Sequence, residues 1–317
     1  MKTSLFGALL CTVALDASAS CGAAFCLVNT DWSAQGGMTD EGLRLDLRGE
    51  TVDLDRPRNG RSTVSVGAIA RDHDEVETRN RNAVAALDWN FAPEWGATLS
   101  LPYVDRQHTH IHNGEDVKAL EKWSFRDLGD VRLQGRYVEG TTAEDASRMR
   151  AWGFTFGVKL PTGRHDVKNG DGEAAERTLQ PGTGTTDALL GVFLHGAAPL
   201  AGWSWFTRAG LTLPMTTRDE YRPAKQLQLD AGVRYAASTA VGVMLQVNGN
   251  FRGRDSGANA EPEDSGQREV FVSPGVSWNA TRDTQLYAFV QVPVYQAVNG
   301  VQLTARWSAL AGVSLRF

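Results

Sequence analysis

The chain has 317 residues, including 33 Gly, 9 Trp, 12 Phe and 6 Tyr, and a formal net charge of −5 at pH 7. This aromatic content excludes an intrinsically disordered chain. With 32 Lys and Arg against 37 Asp and Glu, nothing attracts the chain generally to nucleic acid, and we expect no nucleic-acid partner. Beyond residue 20, no run of about 18 apolar residues predicts a membrane-spanning helix.

Residues 1–19 are typical of a secretory signal peptide. Lys2 supplies the positive charge, an apolar stretch runs from Leu5 to Leu15, and Ala17-Ser18-Ala19 is a small-residue cleavage site. We therefore expect an exported protein whose mature chain starts at Ser20.

The next segment, residues 20–41, is predicted to be a periplasmic N-terminal segment. It carries Cys21 and Cys26, the two cysteines left after cleavage, and in an oxidising compartment we expect them to form a disulfide. A thiolate metal or redox site is the alternative, although the C-x4-C spacing does not match the C-x-x-C redox motif.

The remainder, residues 42–317, shows twelve stretches in which apolar and polar side chains alternate. In 241–252, for example, apolar Val243, Leu245 and Val247 alternate with polar Gln246 and Asn248. Such alternation indicates strands. The predicted strands are 42–54, 75–91, 97–107, 125–139, 149–161, 183–196, 201–213, 226–236, 241–252, 268–278, 283–294 and 302–317.

The connections alternate between short turns and mostly long polar loops. This asymmetry, with strands of about 10 residues, is typical of a bacterial outer-membrane β-barrel. Aromatic residues cluster beside the short turns, as in an interfacial girdle: Trp89, Phe91, Trp95, Tyr137, Trp152, Trp203, Tyr235 and Trp278. We predict an all-β, antiparallel, transmembrane barrel of about twelve strands with both termini in the periplasm. A soluble β-sandwich is less favoured.

Charged residues at the polar positions of the strands are candidates for the lumen. We expect them to select solutes by charge and size rather than to do chemistry. The lumen and selectivity candidates are Arg132, Arg136, Asp230, Arg234 and Arg306.

Several short motifs that occur together in one protein family are found, in that family's order, between residue 97 and the end of the chain. They are Leu101-Pro102-Tyr103-Val104, Leu128-Gly129-Asp130-Val131, Gly157-Val158-Lys159-Leu160-Pro161-Thr162-Gly163, Pro181-Gly182-Thr183-Gly184, Ser273-Pro274-Gly275-Val276, Gln291-Val292-Pro293-Val294-Tyr295 and Asn299-Gly300-Val301-Gln302-Leu303. Together they resemble the outer-membrane family named for the MetA pathway of phenol degradation. The start of the mature chain resembles a subgroup for which only a transporter role has been suggested.

The resemblance implies a barrel that passes small molecules, aromatic ones among the candidates, and transfers no functional residues. The motifs also have a structural interpretation: Pro and Gly where strands enter long loops shape the rim and need touch no ligand. The terminal Phe317 resembles the signal that the barrel-assembly machinery reads, which makes that machinery an expected partner.

His108, His110 and His112 form the sharpest local motif. If their strand continues, the three imidazoles share its lumen face, about 6.5–7 Å apart. Neutral imidazoles bind Zn or Cu, and Glu115 and Asp116 could complete a site. The alternative is a polar extracellular loop without a ligand. His73, between Asp72 and Asp74, is interpreted as part of a solvated loop.

We therefore expect a non-enzymatic outer-membrane channel or transporter for a small solute, aromatic or hydrophobic among the candidates. Its expected surroundings are outer-membrane lipid and lipopolysaccharide, and no cofactor is predicted unless the histidines bind Cu or Zn. The alternatives are a metal-binding barrel that uses the histidine loop, a plugged structural barrel and, less favoured, an outer-membrane hydrolase, since no Ser–His pair shows strand spacing.

Overall fold

A computed structural model describes residues 20–21, 24–36, 41–113, 118–141, 149–169, 172 and 174–317. The predicted signal peptide, residues 1–19, lies outside these residues, as does the Cys21 side chain, so the predicted disulfide remains a prediction. Within the described ranges, no helix is both long and apolar enough to cross a membrane.

Twelve antiparallel strands form one closed barrel, which confirms the predicted fold class. The strands are β1 (Gly42–Asn59), β2 (His73–Asn90), β3 (Trp95–Asn113), β4 in two parts (β4a, Lys118–Leu128, and β4b, Arg132–Thr141), β5 (Met149–Lys159), β6 (Asp187–Ala198), β7 (Trp203–Pro214), β8 (Gln226–Ala236), β9 (Val241–Arg252), β10 (Gln267–Asn279), β11 (Thr284–Val298) and β12 (Val301–Arg316). Each strand pairs with the next, and β12 closes on β1 from Val301↔Asn59 to Arg316↔Arg44. Closure satisfies the edge hydrogen bonds that lipid could not.

The outer face of the barrel is apolar over a limited height. On β2 and β3, exposed Leu87, Trp89, Leu99 and Tyr103 point outward. Toward the long loops, the outer face becomes charged, beginning with the ion pair between Arg81 and Asp53. The strand segments beyond this ion pair therefore extend outside the membrane on the long-loop side.

The predicted aromatic girdle surrounds the short-turn end of the barrel. Trp89, Trp95, Trp152, Trp203 and Trp278 are all exposed there. Neighbouring strands bring their rings together, with Trp203 and Tyr235 centroids 4.8 Å apart. This arrangement matches amphipathic rings that sit at the lipid headgroups.

Two strands differ from their predicted bounds in ways that matter for function. β3 continues through the histidines to Asn113 and forms a hairpin with β4a, where a long loop was expected. β12 is irregular near Ala305, where its pairing with β1 jumps from Ala305↔Leu54 to Ser308↔Val52. The extra residue of such a bulge reverses the side-chain alternation. As a result, Arg306 is on the outer surface, where it pairs with Asp55 at 3.3 Å, and its predicted place in the lumen is wrong.

Candidate functional site: the barrel lumen

The N-terminal segment lies inside the barrel. Ser20 and Cys21 pair in parallel with Gln302 and Leu303, near the long-loop end of β12. Residues 24–36 then run through the lumen toward the short turns, where Gly36 approaches the His195 ring. The segment was expected in the periplasm. It lies instead in the barrel because the polar inner wall offers partners for its backbone and side chains.

Hydrogen bonds attach this segment to the wall along its length. The backbone amides of Cys26 and Leu27 donate to Glu50 and Gln291, at 3.0 and 3.1 Å. Further along, the Trp32 indole donates to Asp46 Oδ2 at 3.0 Å.

Apolar contacts hold the same segment. Val28 and Trp32 belong to a buried cluster with wall side chains of β9, β11 and β12, namely Met244, Tyr287, Phe289 and Leu310. Burying two such large side chains stabilises the docked segment by about 1.5–3 kcal/mol each. The segment is therefore a built-in plug of one side of the lumen, and we call residues 24–36 the plug.

Opposite the plug, the lumen is hollow. Arg132 faces inward, since its neighbour Leu133 is exposed on the lipid side, yet Arg132 itself is also exposed. An inward-facing side chain can be exposed only if open space lies beside it. Arg132 interacts electrostatically with inward-facing Arg48, Arg208, Asp130 and Asp187.

The short-turn half of the lumen widens into a cavity of about 1180 Å³, which we call the vestibule. Trp32 and Gly36 of the plug form part of its lining, so the plug ends within it. The vestibule is strongly basic. Its charged lining comprises Glu94 and Asp283 against Arg44, Arg136, Arg150, Arg234, Arg282 and Arg316.

The loop between β5 and β6, residues 160–186, folds inward at the opposite end. Leu179 is 1% exposed and, with Ala175 of the same loop, packs in an apolar cluster against inner-wall residues Val52, Leu54, Trp123, Phe125, Leu303 and Ala305. The Arg106 guanidinium donates to the carbonyls of Thr178 and Leu179, at 3.1 and 2.6 Å. This loop therefore narrows the lumen from the long-loop side.

Three of the family-like motifs meet at the base of that loop. Asp130, at the break between β4a and β4b, accepts hydrogen bonds from the amides of Gly163 and Thr183, at 3.1 and 2.9 Å. Lys159 bridges the buried carboxylates of Asp130 and Asp187, at 3.0 and 2.9 Å. This network fits the structural interpretation of the motifs, because residues of the three motifs are bonded to one another.

Two of the three motif histidines are buried inside the barrel, on the long-loop side of the membrane. His108 and His110 are buried, whereas His112 is exposed. His108 Nε2 lies 3.1 Å from His110 Nδ1 and 3.5 Å from Glu75 Oε2, and its Nδ1 lies 2.8 Å from Thr78 Oγ1. The three imidazoles share one face of β3, as expected from the continued strand, but His112 lies at the exposed end of the hairpin and only His108 and His110 enter the buried cluster.

The cluster is completed by residues that sequence reasoning assigned to a solvated loop or did not single out. The His73 Nε2 atom lies 2.7 Å from Glu176 Oε1 and 3.7 Å from Glu75 Oε1. The rings of His73 and His110 are 4.8 Å apart. Their spatial proximity depends on the extended β2–β3 hairpin and on loop 160–186, and no local sequence motif records it.

Ionisation in this cluster is perturbed by burial. Burial lowers the pKa of His108 well below its usual range, and His110 and His73 lower it further. Burial raises the pKa of Glu261, in the loop between β9 and β10, and the carboxylates of Glu176 and Glu75 add to that increase.

The other predicted lumen residues occupy different levels. Arg136 lines the vestibule and its guanidinium donates to Asn90 Oδ1. Arg234 also lines the vestibule, with its Nη2 3.5 Å from Ser277 Oγ. Asp230 faces inward and accepts a hydrogen bond from the plug. With Arg132, four of the five predicted residues face the interior.

Comparison with known proteins identifies both sequence and structural relatives. A family model described as "Putative MetA-pathway of phenol degradation" matches residues 95–310, about two thirds of the chain. No curated protein matches the chain. An outer membrane channel from Pseudomonas putida F1 superposes with a TM-score of 0.65 at 11% identity, covering 88% of this chain and 97% of that one. The NanC porin superposes with a TM-score of 0.46 at 12% identity, covering 86% of this chain and all of that one.

Proposed function

This chain belongs to the family named for the MetA pathway of phenol degradation, and we propose that it is an outer-membrane channel that passes small anionic solutes. The apolar outer band and aromatic girdle support a place in the outer membrane. The similar Pseudomonas putida F1 structure is described as an outer membrane channel, in line with this role.

The observation that carries the proposal is the basic vestibule. Six arginines and two acidic residues line one cavity inside the barrel. Low-dielectric walls focus the field of such charges and concentrate ions of the opposite sign. Exposed Arg132, deeper in the lumen, extends the positive field beyond the vestibule.

The constrictions limit the size of the solute. The plug occupies one side of the lumen, and loop 160–186 occupies part of the other end. A small organic anion fits this combination, and an aromatic one is favoured because guanidinium groups bind aromatic faces as well as carboxylates. The family description, with its reference to phenol, is consistent with an aromatic solute.

Planar-bilayer recording of the refolded barrel tests the proposal. We expect small stable current steps and, across a KCl gradient, a reversal potential that shows anion preference. Blockade of the current by benzoate, compared with uncharged benzyl alcohol, separates recognition of an anion from recognition of an aromatic ring. A silent bilayer despite well-folded protein would contradict the channel, and cation preference would contradict the role of the arginines.

A plugged structural barrel is the competing function, and the position of residues 24–36 favours it. Deletion of the plug, residues 24–36, distinguishes a channel from a plugged structural barrel. If the full chain is silent and the deletion variant conducts, the lumen is permanently filled in the resting protein and the structural role is supported.

A further inference from the structure

The cluster at the long-loop end of the lumen has the composition of a metal site. One ligand atom from each of His73, Glu75, His110 and Glu176 lies within 4.8 Å of the others. They come from three parts of the chain, namely β2, β3 and loop 160–186. One ion at the point where they converge would therefore join all three parts.

A second observation indicates that this ligand is a cation. Glu75 is fully buried and the Glu176 side chain is 10% exposed. Glu176 Oε1 lies 2.7 Å from His73 Nε2, but Glu176 Oε2 is buried and, among the described residues, accepts no hydrogen bond. A buried carboxylate oxygen without a donor costs several kcal/mol unless a positive charge compensates. Coordination to a cation would satisfy this oxygen.

The donor set defines the class of ion. Two imidazole nitrogens with two carboxylate oxygens suit a first-row divalent metal such as Zn²⁺, whereas Ca²⁺ and Mg²⁺ prefer oxygen donors alone. His108 is placed to orient Glu75, whose Oε2 lies 3.5 Å from His108 Nε2. Glu121 Oε2, 3.0 Å from His110 Nε2, orients the His110 ring through that nitrogen, which leaves Nδ1, on the His108 side, to bind the ion.

We propose that His73, Glu75, His110 and Glu176 form a binding site for Zn²⁺ or a similar divalent transition metal at the extracellular end of the lumen. The ion would join loop 160–186, through Glu176, to the wall strands β2 and β3. Metal binding would then fix the loop that narrows the lumen. His112, which the sequence grouped with the metal ligands, is outside this site.

Zinc binding to the full-length refolded barrel is the direct test. After removal of metals with EDTA and reloading with Zn²⁺, elemental analysis of the gel-filtered protein should find about one Zn²⁺ per chain. The His73→Ala/His110→Ala variant should retain almost none. The His112→Ala variant, on the same strand but exposed, should retain as much as the wild type. His108→Ala should weaken binding about 10–100-fold, the range found when a residue that orients a ligand is removed.

The loop provides a second readout that does not depend on the histidine variants folding well. Loop 160–186 contains Arg164, Lys168 and Arg177, all sites for trypsin. Zn²⁺ should slow cleavage there in the wild type and have no effect in the Glu176→Gln variant. Equal zinc content in the wild type and the double variant, or the same loss in His112→Ala, would overturn the proposal. So would Zn²⁺ protection that persists in Glu176→Gln.

Discussion

The side-chain amide of Asn29 donates to Asp230 Oδ2 at 3.1 Å, although the two residues are 201 positions apart in the chain. The Asn29 backbone amide also donates to Gln246 Oε1, and the Gln246 side chain donates back to the Asn29 carbonyl, each at 3.0 Å. Asn29 is thus held by β8 and β9 together. A segment fixed at its middle by buried polar contacts occupies the lumen by default, and its release requires breaking those contacts.

Weakening the hydrogen bond between Asn29 and Asp230 should open the barrel more often. In Asn29→Ala, Asp230 loses a donor, and hydrogen bonds to charged groups are worth about 1.5–3 kcal/mol. The ratio of released to docked plug should therefore rise by roughly one order of magnitude or more, since about 1.4 kcal/mol corresponds to tenfold. Single-channel recording should show more frequent or larger openings.

Thr30→Ala is the matched control, because this neighbouring side chain is not hydrogen-bonded to the wall among the described contacts. It should behave as the wild type. Openings that are unchanged in Asn29→Ala, or increased equally in both variants, would contradict the assignment of residues 24–36 as the plug.

Arg132→Gln should weaken anion selectivity. A unit charge about 10 Å from a permeating ion contributes roughly 0.4 kcal/mol in water, a factor of about two for each ion. Because its removal disfavours the anion and favours the cation, the anion-to-cation permeability ratio should fall about fourfold. The reversal potential in a salt gradient measures this. Arg306→Gln removes the same charge from the outer surface, where Arg306 pairs with Asp55, and should leave the potential unchanged. The same shift in both variants would mean that overall charge, not position in the lumen, sets selectivity.

Leu179→Ala should loosen loop 160–186 without unfolding the barrel. Leu179 is almost fully buried against inward-facing Trp123 and Phe125, and Leu→Ala in such a cluster costs about 2–5 kcal/mol. Trypsin should then cleave the loop many times faster while the barrel resists. Leu200→Ala, at a side chain 90% exposed in a short turn, should leave cleavage unchanged. Unaltered cleavage in Leu179→Ala would show that other contacts hold the loop.

Much of the fold can be predicted because a barrel wall is periodic. Lipid on one face and a polar lumen on the other force alternation on every strand, so β8 and β9 match their predicted bounds, Gln226–Ala236 and Val241–Arg252. Short turns and the aromatic girdle then fix the number and direction of the strands. These signals are local in sequence, which is why a single chain reveals them.

The contents of the lumen are not periodic and could not be predicted in the same way. The plug is held by β1 and by side chains of β8, β9 and β11 that are more than 200 residues away in the chain. Arg306 was misplaced because one inserted residue in β12 reverses the alternation. His73 and Glu176 join His110 only after loop 160–186 folds inward, so the histidine motif identified one part of the cluster and included an exposed member.

The ion network at the base of loop 160–186 provides a test of the family-like motifs as structural elements. Lys159 is 6% exposed and lies between Asp130 and Asp187, and it also donates to Thr183 Oγ1. Lys159→Met removes the cation that lies between two buried carboxylates, and breaking a buried pair in this way costs about 3–5 kcal/mol. Urea unfolding of the barrel from lipid vesicles should show that loss, whereas Lys122→Met on the exposed face of β4a should cost little.

Neutralising the carboxylates as well, in Lys159→Met/Asp130→Asn/Asp187→Asn, should recover part of the stability, because the penalty comes from uncompensated charge. If the triple variant is no more stable than Lys159→Met, the packing of the lysine stem rather than its charge holds the base of the loop.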